Sequence, residues 1–175
     1  MNKKLFRYEF IGFVFVSITG TASHFLYEIL GKSAVIGIFC PVNESIWEHQ
    51  KLLFFPFIIW SIAEYCILEK QNSFFSAKTA GITSGIIFTI AFYYTYTGIS
   101  GSESMFFDIL SFYLGAGIAF IISYMIIKNF SKGSIHLSNL SVLILIIIAA
   151  AFIIFTFAPP LIPLFKDPLT STYGI

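Results

Sequence analysis

The run LSVLILIIIAAAFIIFTFA, residues 140–158, contains no charged residue and no proline or glycine. At about 1.5 Å of rise per residue, it is long enough as a helix to cross a hydrocarbon core of about 30 Å. A stretch that is apolar all round has no face to offer water, so it reads as a membrane-spanning helix. Working outward, the same reasoning places further spans near 8–30, 45–68, 78–98 and 105–128. The expected fold is an all-α polytopic membrane helix bundle of five helices, with residues 1–175 forming one integral membrane domain.

Composition agrees. The chain is 57% hydrophobic and 11% charged, with a mean hydropathy of +0.87, far from the balance of a water-soluble domain. A net charge of +1 without a long basic run excludes a nucleic-acid footprint. Two cysteines, Cys40 and Cys66, fall toward opposite membrane faces on these spans and make no disulfide framework. Lys3, Lys4 and Arg7 before an apolar run imitate a secretory signal, but the pattern continues through Phe25 and Leu30, so a retained first helix is expected.

Between the first two spans, the apolar segment 33–41 is too short to cross and is interrupted by Pro41. It reads as a re-entrant or interfacial piece. Ser45 followed by Glu48 reads as a capping box at the start of the second helix, with Asn43 as a competing cap. After the last span, Pro159, Pro160, Pro163 and Pro168 forbid further helix, so the tail 159–175 is expected to be irregular. It is also expected to fold back as a partial lid, with Phe165 and Leu169 as apolar anchors.

Basic residues concentrate in loops that stay in the cytoplasm. With the N-terminus inside and the C-terminus outside, Lys3, Lys4, Arg7, Lys70, Lys78, Lys128 and Lys132 fall inside, against Lys32, Lys51 and Lys166 outside. That distribution selects this orientation.

Polar side chains in lipid are costly and tend to gather where they do chemistry. Here they gather at the expected outer face: His24 and Glu28 near the end of the first helix, Asn43, Glu44, Glu48 and His49 at the start of the second, and Asp108 in the first turn of the fourth. His24 and Glu28 are four apart and share a helix face. Glu44, Glu48 and Lys51 form a stripe with His49 beside it. Imidazoles with carboxylates are a common set for a divalent metal such as zinc, with a fourth position left for water. The expected metal ligands are His24, His49, Glu44 and Asp108. Glu48 and Glu28 are the expected general bases of a catalytic version.

Structural explanations run beside this one. Acids in first turns offset the helix dipole, Lys51 pairs with Glu44 or Glu48, and Trp47 sits at interface depth. Gly12, Gly20, Gly81, Gly85, Gly115 and Gly117 read as helix-packing positions. Tyr93, Tyr94 and Tyr96 form an aromatic belt or line a mouth, and His136 receives no role.

The segments PVNESIWEHQK (41–51), HFLYE (24–28), and the Pro-Pro, Phe-Lys-Asp-Pro and Tyr-Gly elements of the tail resemble a family of small bacterial multi-spanning membrane proteins of unknown function. The resemblance implies a bacterial plasma-membrane location and brings no activity with it. Three function classes follow. The first is a membrane protein with a polar, metal-binding site at its extracytoplasmic mouth, acting in its catalytic form as a metal-dependent hydrolase. The second is a small transporter or channel. Against it, Glu64 lies 16 residues past Glu48, about 24 Å along the helix and so near the inner end. The third is an accessory subunit that docks a membrane partner or a second copy of itself. The lipid bilayer is the one partner common to all three, and the sequence names no substrate.

Overall fold

The computed structural model describes residues 2–68, 71–130 and 133–175, so the expected loop charges Lys70 and Lys132 lie outside the described residues. Among the described residues, six α-helices follow one another: α1 (Asn2–Ile29), α2 (Ala34–Phe39), α3 (Ile46–Ile67), α4 (Phe74–Ser100), α5 (Met105–Asn129) and α6 (Ile135–Phe157). Five of them, all but α2, are long and apolar enough to cross a membrane. A 3₁₀ turn, Pro163–Phe165, lies in the tail.

The breaks fall where the backbone requires them. Gly31 follows α1 at φ 75°, and Gly101 ends α4 at φ 72° with its N–H bonded to the Thr97 carbonyl. Both conformations favour glycine, which has no Cβ to clash. Helix α6 gives way at Ala158, immediately before Pro159 and Pro160.

Small residues set the helix spacing. A Cβ on Gly81 would come within 2.4 Å of the Ala119 carbonyl oxygen, and one on Gly85 within 2.7 Å of that of Gly115. The α4 and α5 backbones therefore touch, as expected of glycine in membrane helices. Gly117 departs from this pattern, since only Phe13 comes near it, at 4.0 Å. Gly20 has a more particular role. Pro56 inside α3 has no N–H to give the Leu52 carbonyl four residues back, and that same oxygen would lie 2.5 Å from a Cβ on Gly20. The proline frees an acceptor, and the glycine brings α1 against it, one turn below His24.

Between the helices, Val16, Leu53, Phe54, Phe57, Ile82, Ala116, Ala119, Phe120 and Phe152 form the main core. Helix α6 keeps Leu143, Ile146, Ile147 and Ile154 exposed, a face suited to lipid. Trp47 turns inward rather than outward, stacking on Phe152 at 4.8 Å and on Phe165 at 5.0 Å.

Two buried ionic clusters tie this core together. Lys51, fully buried, donates to Glu48 at 2.6 Å, to the Gly37 carbonyl at 2.7 Å and to Thr156 at 2.5 Å, joining α2, α3 and α6. At the opposite end of the bundle, Lys78 of α4 donates to both oxygens of Glu9 at 3.0 Å and to Glu64 at 2.5 Å. Ser123 of α5 donates to Glu9 at 2.8 Å, so this second cluster ties four helices.

Candidate functional site

The C-terminal ends of α1 and α4 and the N-terminal ends of α3 and α5 meet at one end of the bundle, as alternating spans dictate. Ser45 caps α3 with its hydroxyl, accepting from the Glu48 N–H at 3.3 Å. Only this half of the expected capping box forms. The Glu48 carboxylate accepts instead from Lys51 and the Val42 N–H, and the Ser45 N–H goes to Asn43.

Because the helix begins at Ile46 and Ser45 is extended (φ −67°, ψ 149°), Glu44 leaves the helical register. The expected stripe of Glu44, Glu48 and Lys51 is therefore split. Glu48 and Lys51 turn into the core, while Glu44 swings to the histidines. Its Oε2 lies 3.6 Å from His24 Nε2 and 3.3 Å from His49 Nε2, and the two imidazole nitrogens are 3.1 Å apart. His24, Glu44 and His49 form a group that could hold a metal ion.

Two ligands each about 2.0–2.1 Å from a tetrahedral zinc are separated by about 3.3 Å. The three observed separations bracket that value. His49 Nδ1 sits 3.0 Å from the Ser45 carbonyl, an acceptor, so Nδ1 carries a proton; the neutral ring then leaves its Nε2 lone pair to the group, whereas a ring with a second proton donates it from Nε2 to Glu44. Between two ring nitrogens at this distance there is room for one proton. Glu44 approaches the same His49 nitrogen, so three electron-pair donors converge on one point. The Glu44 carboxyl is held well below the usual carboxylate range, first by the hydrogen bond with His24 and next by that with His49, against partial burial.

The triad lines a cavity of about 520 Å³ whose walls come from α1, α3, α4, α5 and the tail. Its size suits a small-molecule site. Asp108 lines the same cavity and accepts from the Tyr96 hydroxyl at 2.5 Å; it faces the triad without joining it. Tyr93 lines the cavity too and donates to Glu103, so these tyrosines serve the mouth, while Tyr94 is exposed. Gln50 and Thr89 pair at 2.5 Å deeper in the wall.

Neither acid expected as general base lines this cavity. Glu48 is 2% exposed and fixed by Lys51, whose buried charge needs it. Glu28 pairs with Lys32 at 3.0 Å on the exposed surface, beside a shallower depression. Of the site residues named from sequence, His24, Glu44 and His49 converge, Asp108 shares their cavity, Glu28 lines only a second depression beside His24 and Glu44, and Glu48 is turned into the core. Glu103 was not legible as a site residue. It sits in the α4–α5 loop, and only the preceding tyrosines hint at it.

The tail reaches this end as well. Phe165 is buried against Trp47 and Phe155, Asn43 donates to the Gly174 carbonyl at 3.0 Å, and the Ile175 N–H to that of Thr156 at 3.1 Å. Pro168 and Leu169 lie in the cavity lining as a result.

Fold and composition thus define a multi-pass helical membrane protein with a histidine and carboxylate cluster at one mouth. The chain belongs to the family of unknown function DUF6512, whose model matches residues 1–175. No curated protein and no solved structure matches it.

Proposed function

We propose that this chain binds a divalent metal, zinc by the chemistry of its donors, through His24, Glu44 and His49 at the extracytoplasmic mouth of a bacterial plasma-membrane protein. The observation that carries this reading is the ligand spacing, 3.1, 3.3 and 3.6 Å, matched to the edges of a zinc tetrahedron. Three protein ligands leave the fourth position facing the cavity, which is the pattern of a catalytic rather than a structural zinc. Such a metal would acidify its water and polarise a carbonyl, and the reading is therefore a metal-dependent hydrolase. In it Asp108, on the facing wall and oriented by Tyr96, takes the proton-accepting role that sequence alone assigned to Glu48 and Glu28.

Elemental analysis of protein purified in mild detergent tests the metal. Zinc is expected at about one per chain, with content or affinity lowered about a hundredfold or more in His24→Ala and His49→Ala. Wild-type protein that takes up no zinc after dialysis against it, or variants that bind as well as wild type, would overturn the reading.

A further inference from the structure

The cavity has walls of two kinds. Around the triad they are polar: Glu44, Glu103, Asp108 and Tyr93. Below and to one side they are apolar, with Leu52, Leu53 and Phe112 at the back. The large apolar and aromatic lining residues open to the outside are Met105 at 78%, Leu169 at 77%, Phe25 at 58%, Ile109 at 51% and Tyr113 at 36% exposure. Phe25 stands on α1, Met105, Ile109 and Tyr113 on α5 and Leu169 in the tail, so this opening is flanked by α1 and α5 with the tail beside it.

Depth along the helices fixes where the opening ends. Thr21 is one turn deeper on α1 than His24 and Phe25, and Tyr113 one turn deeper on α5 than Ile109. Their hydroxyls meet at 3.2 Å, bridging the two helices below the opening. At the level of that bridge the helices are close, because Gly20 carries no side chain to part them and Phe112 would lie 2.6 Å from its Cβ. Toward the mouth from it, the lining residues of α1 and α5 carry aromatic and aliphatic side chains that are open to the outside. A rim of that chemistry at helix ends in a membrane faces acyl chains, because an opening toward water would not gain from it.

We propose that the cavity receives a single-chain amphiphile from the leaflet at the mouth, its acyl chain lying in the slit between α1 and α5 and its carbonyl head at the His24, Glu44 and His49 triad. The placement of the head rests on the reading of the triad as a metal centre; the slit stands on its own geometry. One continuous cavity, polar at the triad and apolar toward lipid, matches a ligand with the same two ends. Its volume of about 520 Å³ suits one chain with a small head better than a whole two-chain lipid. For a hydrolase, such a ligand is an acyl ester or amide. The oxygen of water bonds to the acyl carbonyl carbon, the bond from that carbon to the ester oxygen or amide nitrogen breaks, and the departing group leaves with a proton, giving a fatty acid.

Palmitic acid bearing a photoreactive diazirine in its chain, added to the protein in lipid nanodiscs, tests the slit. Crosslinks are mapped by mass spectrometry, with unlabelled palmitate as competitor. Saturable crosslinks are expected on the peptides holding Ile109 and Phe112, lowered about tenfold by Ile109→Trp, a change on a rim residue that leaves the core untouched. Ile146→Trp, on the exposed face of α6, should leave them unchanged. Crosslinks that excess palmitate does not compete, or that Ile109→Trp does not lower, would overturn the slit even if zinc binds. Saturable slit crosslinks in a protein that takes up no zinc would keep the slit and overturn the metal reading, so the two failures are distinguishable.

Discussion

The two ends of this bundle hold two triads of similar composition and opposite character. At one end, Lys78 sits between Glu9 and Glu64, and none of the three is more than 3% exposed. At the other, His24 and His49 surround Glu44 with side chains between 29% and 41% exposed. In the first, a cation already occupies the centre, close to the rings of Phe57, Phe74 and Phe120. In the second, the centre is a point on which three electron-pair donors converge. A buried cluster whose cation is a side chain is a fastening. One whose centre is vacant of any side-chain cation and faces a cavity is suited to bind. The comparison teaches that gathering of polar groups in a membrane protein does not by itself mark a site; what matters is whether the group completes itself.

The sharpest break in that comparison is Lys78→Met. It strands two carboxylates against each other in a sealed interior, and removing one partner of a buried ion pair costs about 3–5 kcal/mol. Thermal unfolding in detergent should show a large loss of stability, with zinc content per folded chain unchanged. Adding Glu9→Gln and Glu64→Gln to Lys78→Met should restore much of the loss, because the uncompensated charge is then gone. A variant as stable as wild type would mean that the inner triad is not the fastening described.

The Lys78 triad also shows where sequence reading stops. Residues 140–158 announced a span because no face of the helix was polar, and the polar positions near 24, 44, 49 and 108 announced a mouth because topology brought their ends together. Lys78 looked like a loop charge at the edge of a span expected to begin at 78. Helix α4 in fact begins at Phe74, which draws Lys78 inside the bundle. Its partners come from 69 and 14 residues away on other helices, a pairing no local pattern encodes. Glu9 is masked differently, two turns into α1 and beside the basic Lys3, Lys4 and Arg7, where a surface acid would also stand. Setting aside the buried Lys78 and Lys51 leaves six basic residues on the expected inner side against two on the expected outer side. Glu44 and Glu48 shared one expected stripe with different roles, metal ligand and general base; the extended Ser45 that caps α3 between them leaves Glu44 with the histidines and turns Glu48 into the core.

A smaller effect sharpens the outer half of the comparison. Glu44 has a folded-state pKa depressed by His24 and His49. What this adds to stability is present above the ordinary carboxylate pKa of about 4.3 and lost only as pH falls through the still lower folded value. Near neutrality Glu44 therefore stays ionised, and the pH dependence of metal binding belongs to the imidazoles, which must be neutral to ligate. Zinc affinity measured by calorimetry should fall by about tenfold or more between about pH 7.5 and about pH 5.5, with proton release on binding. Affinity that stays flat across this range would separate the metal, if bound, from His24 and His49.

The smallest effect concerns the tail. Residues 166–175 fold on themselves, with Asp167 accepting from the Leu169 N–H at 2.7 Å and Lys166 bridging to Tyr173, and they place Pro168 and Leu169 against the cavity. Phe165 is the anchor, buried between Trp47 and Phe155, and it lies before this unit. Deleting 167–175 would thus spare the anchor and remove the backbone bonds to Asn43 and Thr156, two hydrogen bonds worth about 1 kcal/mol each. Thermal stability should fall by only that order, and zinc content should hold, since no tail residue belongs to the triad. What should change is access: a ligand in the cavity loses part of its roof, so its dissociation in competition with unlabelled palmitate should quicken a few-fold while its route between α1 and α5 is untouched. Unchanged dissociation would make the tail a brace for Thr156 rather than a cover for the mouth, whereas loss of zinc would mean that Asn43, freed from Gly174, no longer holds Glu44 in place.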